Sequence, residues 1–322
     1  MESLDLASRP AALDSGLETA AGGAVRGLGR GAVRAVRLAD LAELTKPRIT
    51  LMVAVTTAAG FVMASAGSLA GLDLALLVHA LAGTALVAAG ASALNQVWER
   101  DVDALMRRTA QRPLPSGRLD PDLGLLWAVA LAVAGVSWLA LAVNLLTALL
   151  GALTLAGYVF VYTPMKRLSS LSTVVGAIPG AVPPMMGWTA ARDVLEPGAW
   201  ALFGILFLWQ LPHFLAIAWM YRADYERGGM PMLPVIDPGG TRTGRQAILY
   251  AAALVPVSLL PTPLGLTGGV YFAGALVLSL GFLAASWWFQ QRRTNGTAKQ
   301  LLLVSVVYLP AVLAVMLLDR VL

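Results

Sequence analysis

The sequence predicts an all-α, polytopic transmembrane bundle of nine helices, with the N-terminus cytoplasmic and the C-terminus external. Three observations carry that expectation: a composition that only lipid can solvate, nine apolar stretches long enough to cross a bilayer, and a one-sided distribution of arginine and lysine. Of the 322 residues, 58% are hydrophobic and 13% charged, and the mean hydropathy is +0.73. Soluble domains carry about 25% charged residues. This chain has too few to wrap its apolar surface in a polar shell.

A spanning helix needs about 20 mostly apolar residues. The stretches that meet this are 49–67, 72–95, 123–143, 145–163, 171–190, 199–221, 247–263, 268–290 and 300–318. With the N-terminus inside, the cytoplasmic side holds Arg100, Arg107, Arg108, Arg112, Arg118, Lys166, Arg167, Arg222, Arg227, Arg242, Arg245, Arg292, Arg293 and Lys299. The opposite side keeps only Arg192 and Arg320. Cytoplasmic loops attract lysine and arginine, and dropping any one span scrambles the sorting. The same sorting disposes of nucleic acid as a partner. A pI near 9.8 and a formal charge of +5 would invite it, but the basic residues are dispersed between apolar runs instead of gathered on one face. Cysteine is absent, which excludes disulfides, thiolate metal sites and covalent c-type haem attachment.

Residues 1–45 are set apart from the transmembrane domain at 46–322. Arg26, Arg30, Arg34 and Arg37 would share one face of a helix, as in a segment lying on anionic lipid. Gly27, Gly29 and Gly31 weaken that helix, so a disordered tail stands as the other reading. Acidic Glu2, Asp5, Asp14 and Glu18 speak against a transit peptide.

The candidate chemistry lies where the second and sixth stretches end. The second runs out through Asn95-Gln-Val-Trp-Glu99-Arg100-Asp101-Val-Asp103. At 100° per residue, Asn95, Glu99 and Asp103 form a stripe about 80° wide, climbing in steps of about 6 Å. Asp101 joins them only if the helix unwinds. A carboxamide and two carboxylates are hard oxygen ligands suited to Mg²⁺, which binds through one or two carboxylates plus substrate phosphates. Arg107, Arg108 and Arg112 follow closely, as cations for a diphosphate. A solvated helix end beside a basic loop is the plainer reading. Asn95 argues against it, because an amide facing lipid is costly.

The sixth stretch ends at Asp224-Tyr-Glu226-Arg227, level with the first acidic cluster by topology, so that two acidic helix ends share one mouth. His213 is eleven residues earlier, about 20° away in rotation and about 16 Å deeper. It reads either as a cavity-lining group or as a histidine hydrogen-bonded within the bundle. His79, with no acidic neighbour in sequence, reads as structural. Tyr158, Tyr162, Lys166 and Arg167 close the fourth stretch, where membrane anchoring and phosphate binding explain the charges equally well. Gly176, Pro179, Gly180, Pro183 and Pro184 imply a kinked fifth helix, which either leaves room for a bulky ligand or packs tightly.

These residues resemble the UbiA-type intramembrane prenyltransferases. The likeness extends over all nine stretches and includes Lys46-Pro47-Arg48, Asn95 to Pro113, Tyr162 to Arg167, Pro179 to Pro184, Pro212-His213-Phe214 and Asp224 to Val235. Arg-Asp-x-Asp followed by Arg-Thr-x-x-Arg-Pro-Leu, Arg108 to Leu114 here, is similar to the branch that prenylates heme. Two departures stand out: Glu99 occupies a position where aspartate is commoner, and the second motif offers only Asp224 and Glu226. The resemblance implies transfer of farnesyl from farnesyl diphosphate to a vinyl group of protoheme IX with water added, giving heme O. Mg²⁺ would be held by Asn95, Glu99, Asp103 and Asp224, and the diphosphate by Arg107, Arg108, Arg112, Tyr162, Lys166 and Arg167, with His213 among the catalytic residues. It also implies a bacterial inner membrane, with the mitochondrial one as the alternative, and a downstream heme A synthase or terminal oxidase assembly as partner. A transporter would place its polar groups near the bilayer midplane, whereas Glu99, Asp103 and Asp224 fall at one interface.

Overall fold

Backbone amides cannot be left unpaired in hydrocarbon, so an apolar chain of this kind folds into helices that satisfy them internally. The computed structural model describes residues 37–65 and 71–321, and among these there is no strand. In chain order the helices are α1 (Leu38–Leu44), α2 (Pro47–Ala64), α3 (Leu74–Asp103), α4 (Pro121–Ala142), α5 (Leu145–Ala156), α6 (Thr163–Met165), α7 (Ser172–Ala181), α8 (Pro183–Arg192), α9 (Pro197–Met220), α10 (Arg222–Arg227), α11 (Leu233–Ile236), α12 (Thr241–Leu259), α13 (Gly269–Arg292) and α14 (Asn295–Val321). A π-helical turn, Gly157–Tyr162, joins α5 to α6.

Starts are set by local chemistry. Proline occupies the first turn of α2, α4, α8 and α9, where its missing N–H costs nothing. Asp73, Asp120 and Asn144 cap α3, α4 and α5 by accepting from backbone amides, which would otherwise be orphaned.

Seven helices among the described residues are long and apolar enough to cross a membrane: α2, α3, α4, the α5–α6 run, α9, α13 and α14. The other two expected stretches come out differently. The fifth is two ten-residue helices, α7 and α8, meeting at Val182, because Pro183 and Pro184 donate no amide. The seventh begins earlier than its apolar run, so α12 takes Arg242 and Arg245 into its first turns. Val133, Val277 and Val307 are exposed well inside their helices, a surface that suits lipid.

The kinked helix is explained by packing. A Cβ on Gly187 of α8 would lie 1.9 Å from Thr57 O, and one on Gly60 of α2 would lie 2.0 Å from Pro184 O. Backbones this close leave no space for a bulky ligand between α2 and α8, so here the small residues serve tight packing. On the far side a core of Trp188, Leu202, Ile205, Tyr271, Phe282, Phe289 and Tyr308 knits α8, α9 and α12 to α14.

Helix ends gather in two sets. One joins Arg118 to Asp40 and Glu43, Arg222 to Asn295 and Arg293 to Thr241. The other joins Arg192 to Glu196, Arg320 to Met63 O and Ser65 O, and Asp319 to the amides of Gly268 and Tyr271. A cavity of about 460 Å³ opens at this second end, lined by Trp188, Arg192, Glu196 and Arg320, away from the acidic stripe. The basic stripe expected over Arg26, Arg30 and Arg34 lies outside the described residues. The last part of the tail expected at 1–45 is instead helix α1, whose Leu44 is fully buried against Ala93, Leu114 and Leu119.

Candidate active site

α3 runs unbroken to Asp103, well past the end of its apolar stretch at Asn95. The helical period therefore holds through the polar residues. Asn95, Glu99 and Asp103 are 1%, 5% and 1% exposed, so the stripe faces protein. Asp101 points away, with its side chain largely exposed beside Arg100.

Each donor on the stripe has a partner from elsewhere in the chain. Asn95 donates through Nδ2 to Thr163 Oγ1 at 3.1 Å and accepts at Oδ1 from Lys46 Nζ at 3.4 Å. Thr163 in turn donates to Tyr158 O at 2.8 Å, across the π turn. Glu99 meets buried Lys166, whose Nζ is 2.9 Å from Oε1 and 3.0 Å from Oε2. Asp103 accepts from Arg112 Nη1 at 2.6 Å. Thr109 Oγ1 donates to Asp103 O at 2.8 Å and folds the loop after α3 back onto the helix.

The second acidic motif reaches the same place. Tyr221, at φ −107° and ψ 20°, separates α9 from α10. Asp224 of α10 is buried, accepts the Arg107 amide at 3.3 Å and pairs with Arg227. The two motifs therefore join through the loop that follows α3.

Aromatic rings line this region. Lys166 Nζ sits 4.5 Å from the Tyr162 ring centre. Gly176 of α7 holds that ring closely, since a Cβ there would be 2.4 Å from Tyr162 Cε2. Arg108 lies over Tyr221 and Tyr225 at 5.1 and 5.7 Å, the cation–π arrangement. Charge balance shows in the two lysines. Burial is the largest single influence on Lys166 and pushes it down, yet the Glu99 carboxylate, by its charge and its hydrogen bond, together with Tyr158 and Tyr225 raises Lys166 above the ordinary lysine value. Lys46 is pushed down to about 7, by burial first and then by Arg112 and Lys166, against the pull of Glu99 and Asp103.

Other expected site residues are placed less centrally. Arg107 and Arg167 have exposed side chains, as does Glu226. His213 turns toward α14, with Nδ1 2.8 Å from Ser305 Oγ and its ring stacked on Trp209 at 5.2 Å. No hydrogen bond or ion pair among the described residues links it to the stripe, and the break at Tyr221 interrupts the helical face it was expected to share with Asp224. His79 rests against Trp138 at 5.6 Å. Lys46, Thr163 and Arg227 were not singled out by sequence as site residues, because their partners are far along the chain or on the next turn.

No three acidic or histidine side chains among the described residues come together as a metal cage. The donor set is nonetheless of the right chemistry for Mg²⁺: one amide oxygen and three carboxylates, each carboxylate already balanced by a cation. Such a set fits a metal that arrives with phosphate oxygens of its own.

Residues 53–309 match the UbiA prenyltransferase family. The chain belongs to that family. This UbiA chain is 51% identical over 287 residues to the protoheme IX farnesyltransferase of Solibacter usitatus, covering 87% of this chain and 98% of the relative. Its fold is similar to that of digeranylgeranylglyceryl phosphate synthase, with a TM-score of 0.73 at 15% identity, covering 88% of this chain and 98% of the other. It is also similar to a UbiA homologue from Archaeoglobus fulgidus bound to DMAPP and Mg²⁺, with a TM-score of 0.59 at 18% identity, covering 86% and 99%. At these identities the structural likeness is one of fold.

Proposed function

We propose that this UbiA-family prenyltransferase transfers the farnesyl group of farnesyl diphosphate to a vinyl group of protoheme IX, giving heme O and diphosphate. The observation that carries the donor half is the buried Asn95–Glu99–Asp103 stripe joined to Asp224 and ringed by cations. The acceptor half is supported by full-length likeness to the Solibacter enzyme of that name.

In the reaction the C1–O bond of the allylic diphosphate breaks and its electron pair leaves with the diphosphate. The terminal vinyl carbon bonds to farnesyl C1. The cation left on the inner vinyl carbon takes water and loses one proton. Separating charge is the difficult step, and fixed positive groups at the departing diphosphate lower its barrier. Mg²⁺ held by Asn95, Glu99, Asp103 and Asp224 would neutralise the departing diphosphate. Lys166 and Arg112 are already oriented there by Glu99 and Asp103. Exposed Arg107, Arg108 and Arg167 draw the anionic head to the mouth, and the apolar bundle keeps stray water from the allylic cation. His213 serves the heme side: Ser305 occupies Nδ1, which leaves Nε2 for heme iron or for a proton during water addition.

The charge sorting supports a cytoplasmic mouth, and the likeness to the bacterial Solibacter relative supports a bacterial inner membrane, with both amphipathic substrates entering from lipid and heme O passing to a heme A synthase or terminal oxidase assembly. Extraction of hemes from cells expressing the chain tests the reading: heme O must accumulate at the expense of heme B. Prenylation of another acceptor with no heme O would replace it.

A further inference from the structure

The cavity at the end of the bundle away from the acidic stripe lies apart from the chemistry of the stripe. Its volume of about 460 Å³ is that of a small-ligand pocket. Met63, Ala64 and Leu266 give it an apolar lining, and Arg192, Glu196 and Arg320 give it charge. Charge sorting left just two arginines on this side of the sequence. Both line the one cavity.

Their charges are balanced unequally. Arg192 donates through Nη2 to Glu196 Oε1 at 3.0 Å, and Trp188 Nε1 donates to Glu196 Oε2 at 3.0 Å. Both oxygens of Glu196 are thus engaged from α8. Arg320, half-buried in the last turn of α14, donates instead to Met63 O at 2.5 Å and to Ser65 O. These are neutral carbonyls left over where α2 ends. Its neighbour Asp319 is turned onto the amides of Gly268 and Tyr271 at the start of α13. Among the described residues no carboxylate pairs with Arg320, whereas Arg192 has one. Two arginines against one glutamate leave the lining with a net positive charge.

We propose that this cavity binds the phosphate of an anionic phospholipid, drawn from the leaflet opposite the acidic mouth, with Arg320 as its ligand. A half-buried guanidinium with only neutral partners favours an anion, and its free N–H groups match phosphate oxygens. Position selects which phosphate. The ends of spanning helices lie at headgroup level, and the apolar lining takes the first carbons beyond the headgroup. Farnesyl diphosphate is received at the other end, and α14, 27 residues long, spans about 40 Å between the two. The bound lipid bridges the ends of α2 and α14, the first and last of the long helices. Inorganic phosphate shares the chemistry of the headgroup but leaves the apolar lining unused.

The test uses the full-length protein in detergent, with phosphatidylglycerol, phosphatidylcholine and inorganic phosphate as separate probes. Native mass spectrometry counts retained lipid, and thermal melting reads its coupling to the fold. Wild type should retain one phosphatidylglycerol, about tenfold or more tightly than phosphatidylcholine, the scale of one charge-assisted contact. Arg320→Gln keeps an amide for the α2 carbonyls and removes the charge, so retention should weaken about 10- to 100-fold. Glu196→Gln removes the opposing charge and keeps an acceptor for Trp188. It should tighten retention about three- to tenfold, a gain that a merely structural glutamate would not give. Leu266→Trp narrows the cavity without altering a charge, and should release the lipid even where Arg320→Gln fails to fold. Equal retention of the two lipids overturns the proposal. So does unchanged retention in Leu266→Trp, or weaker retention in Glu196→Gln. Inorganic phosphate that raises the melting temperature as much as phosphatidylglycerol does overturns the lipid assignment and makes this a site for a free anion.

Discussion

Lys166 Nζ meets both carboxylate oxygens of Glu99, at 2.9 and 3.0 Å, in a pair almost wholly removed from water. Its partners are separated by 67 residues. The pair spans from the last turns of α3 to the residue just past α6, and so ties the acidic stripe to the π-helical turn. A buried ion pair of this kind is a weak source of stability but a costly thing to halve. That asymmetry separates its structural role from its chemical one.

Removing only the lysine should therefore destabilise more than removing both charges. Lys166→Met is expected to cost about 3 kcal/mol or more, and Lys166→Met with Glu99→Gln much less. Thermal unfolding in detergent reads this directly. Both variants should lose nearly all turnover, because the double variant regains stability without regaining charge at the diphosphate. An active double variant would show that the pair only braces the helices.

Metal dependence should follow the stripe and Asp224 together. Chelation should stop diphosphate release and Mg²⁺ should restore it. Glu99→Ala, Asp103→Ala and Asp224→Asn should each lower turnover by about 100-fold or more, the scale of a lost electrostatic contact to a departing charge. Arg112→Ala should mainly raise KM for farnesyl diphosphate. Full activity of Asp103→Ala at unchanged Mg²⁺ would remove the stripe from the chemistry.

His213→Ala should alter the spectrum or affinity of heme titrated into the protein, with farnesyl diphosphate binding retained. Ser305→Ala frees Nδ1 without removing the ring, so it should give a smaller change of the same kind. If both variants keep heme affinity, spectrum and turnover and only melt earlier, His213 is a packing residue between α9 and α14.

Orientation can be read with topology reporters. Fusions after Arg118 and after Gly240 should report cytoplasmic, and one after Val194 external. An external signal after Arg118 would invert the bundle and carry the shared acidic mouth to the other side.

What the sequence determined by itself about this protein were its local regularities. Hydropathy over about 20 residues and the sorting of arginine and lysine imply an all-helical membrane protein. The helical period alone placed Asn95, Glu99 and Asp103 on one face, and α3 keeps that period to Asp103, leaving Asp101 outside. Tertiary structure decided everything that depends on which helices touch. It paired Lys46 with Asn95 across 49 residues and Asp224 with the Arg107 amide across 117. It turned Arg107 and Arg167 outward although their sequence setting matches that of Arg112 and Lys166. It gave the Pro183 kink to tight packing against Gly60, where composition allowed a ligand space equally well. His213 shows the limit most clearly: its face on α9 was computable, but a break of one residue at Tyr221 sends Asp224 elsewhere. Periodicity is a property of neighbours along the chain, whereas an ion pair or a shared cavity is a property of neighbours in space.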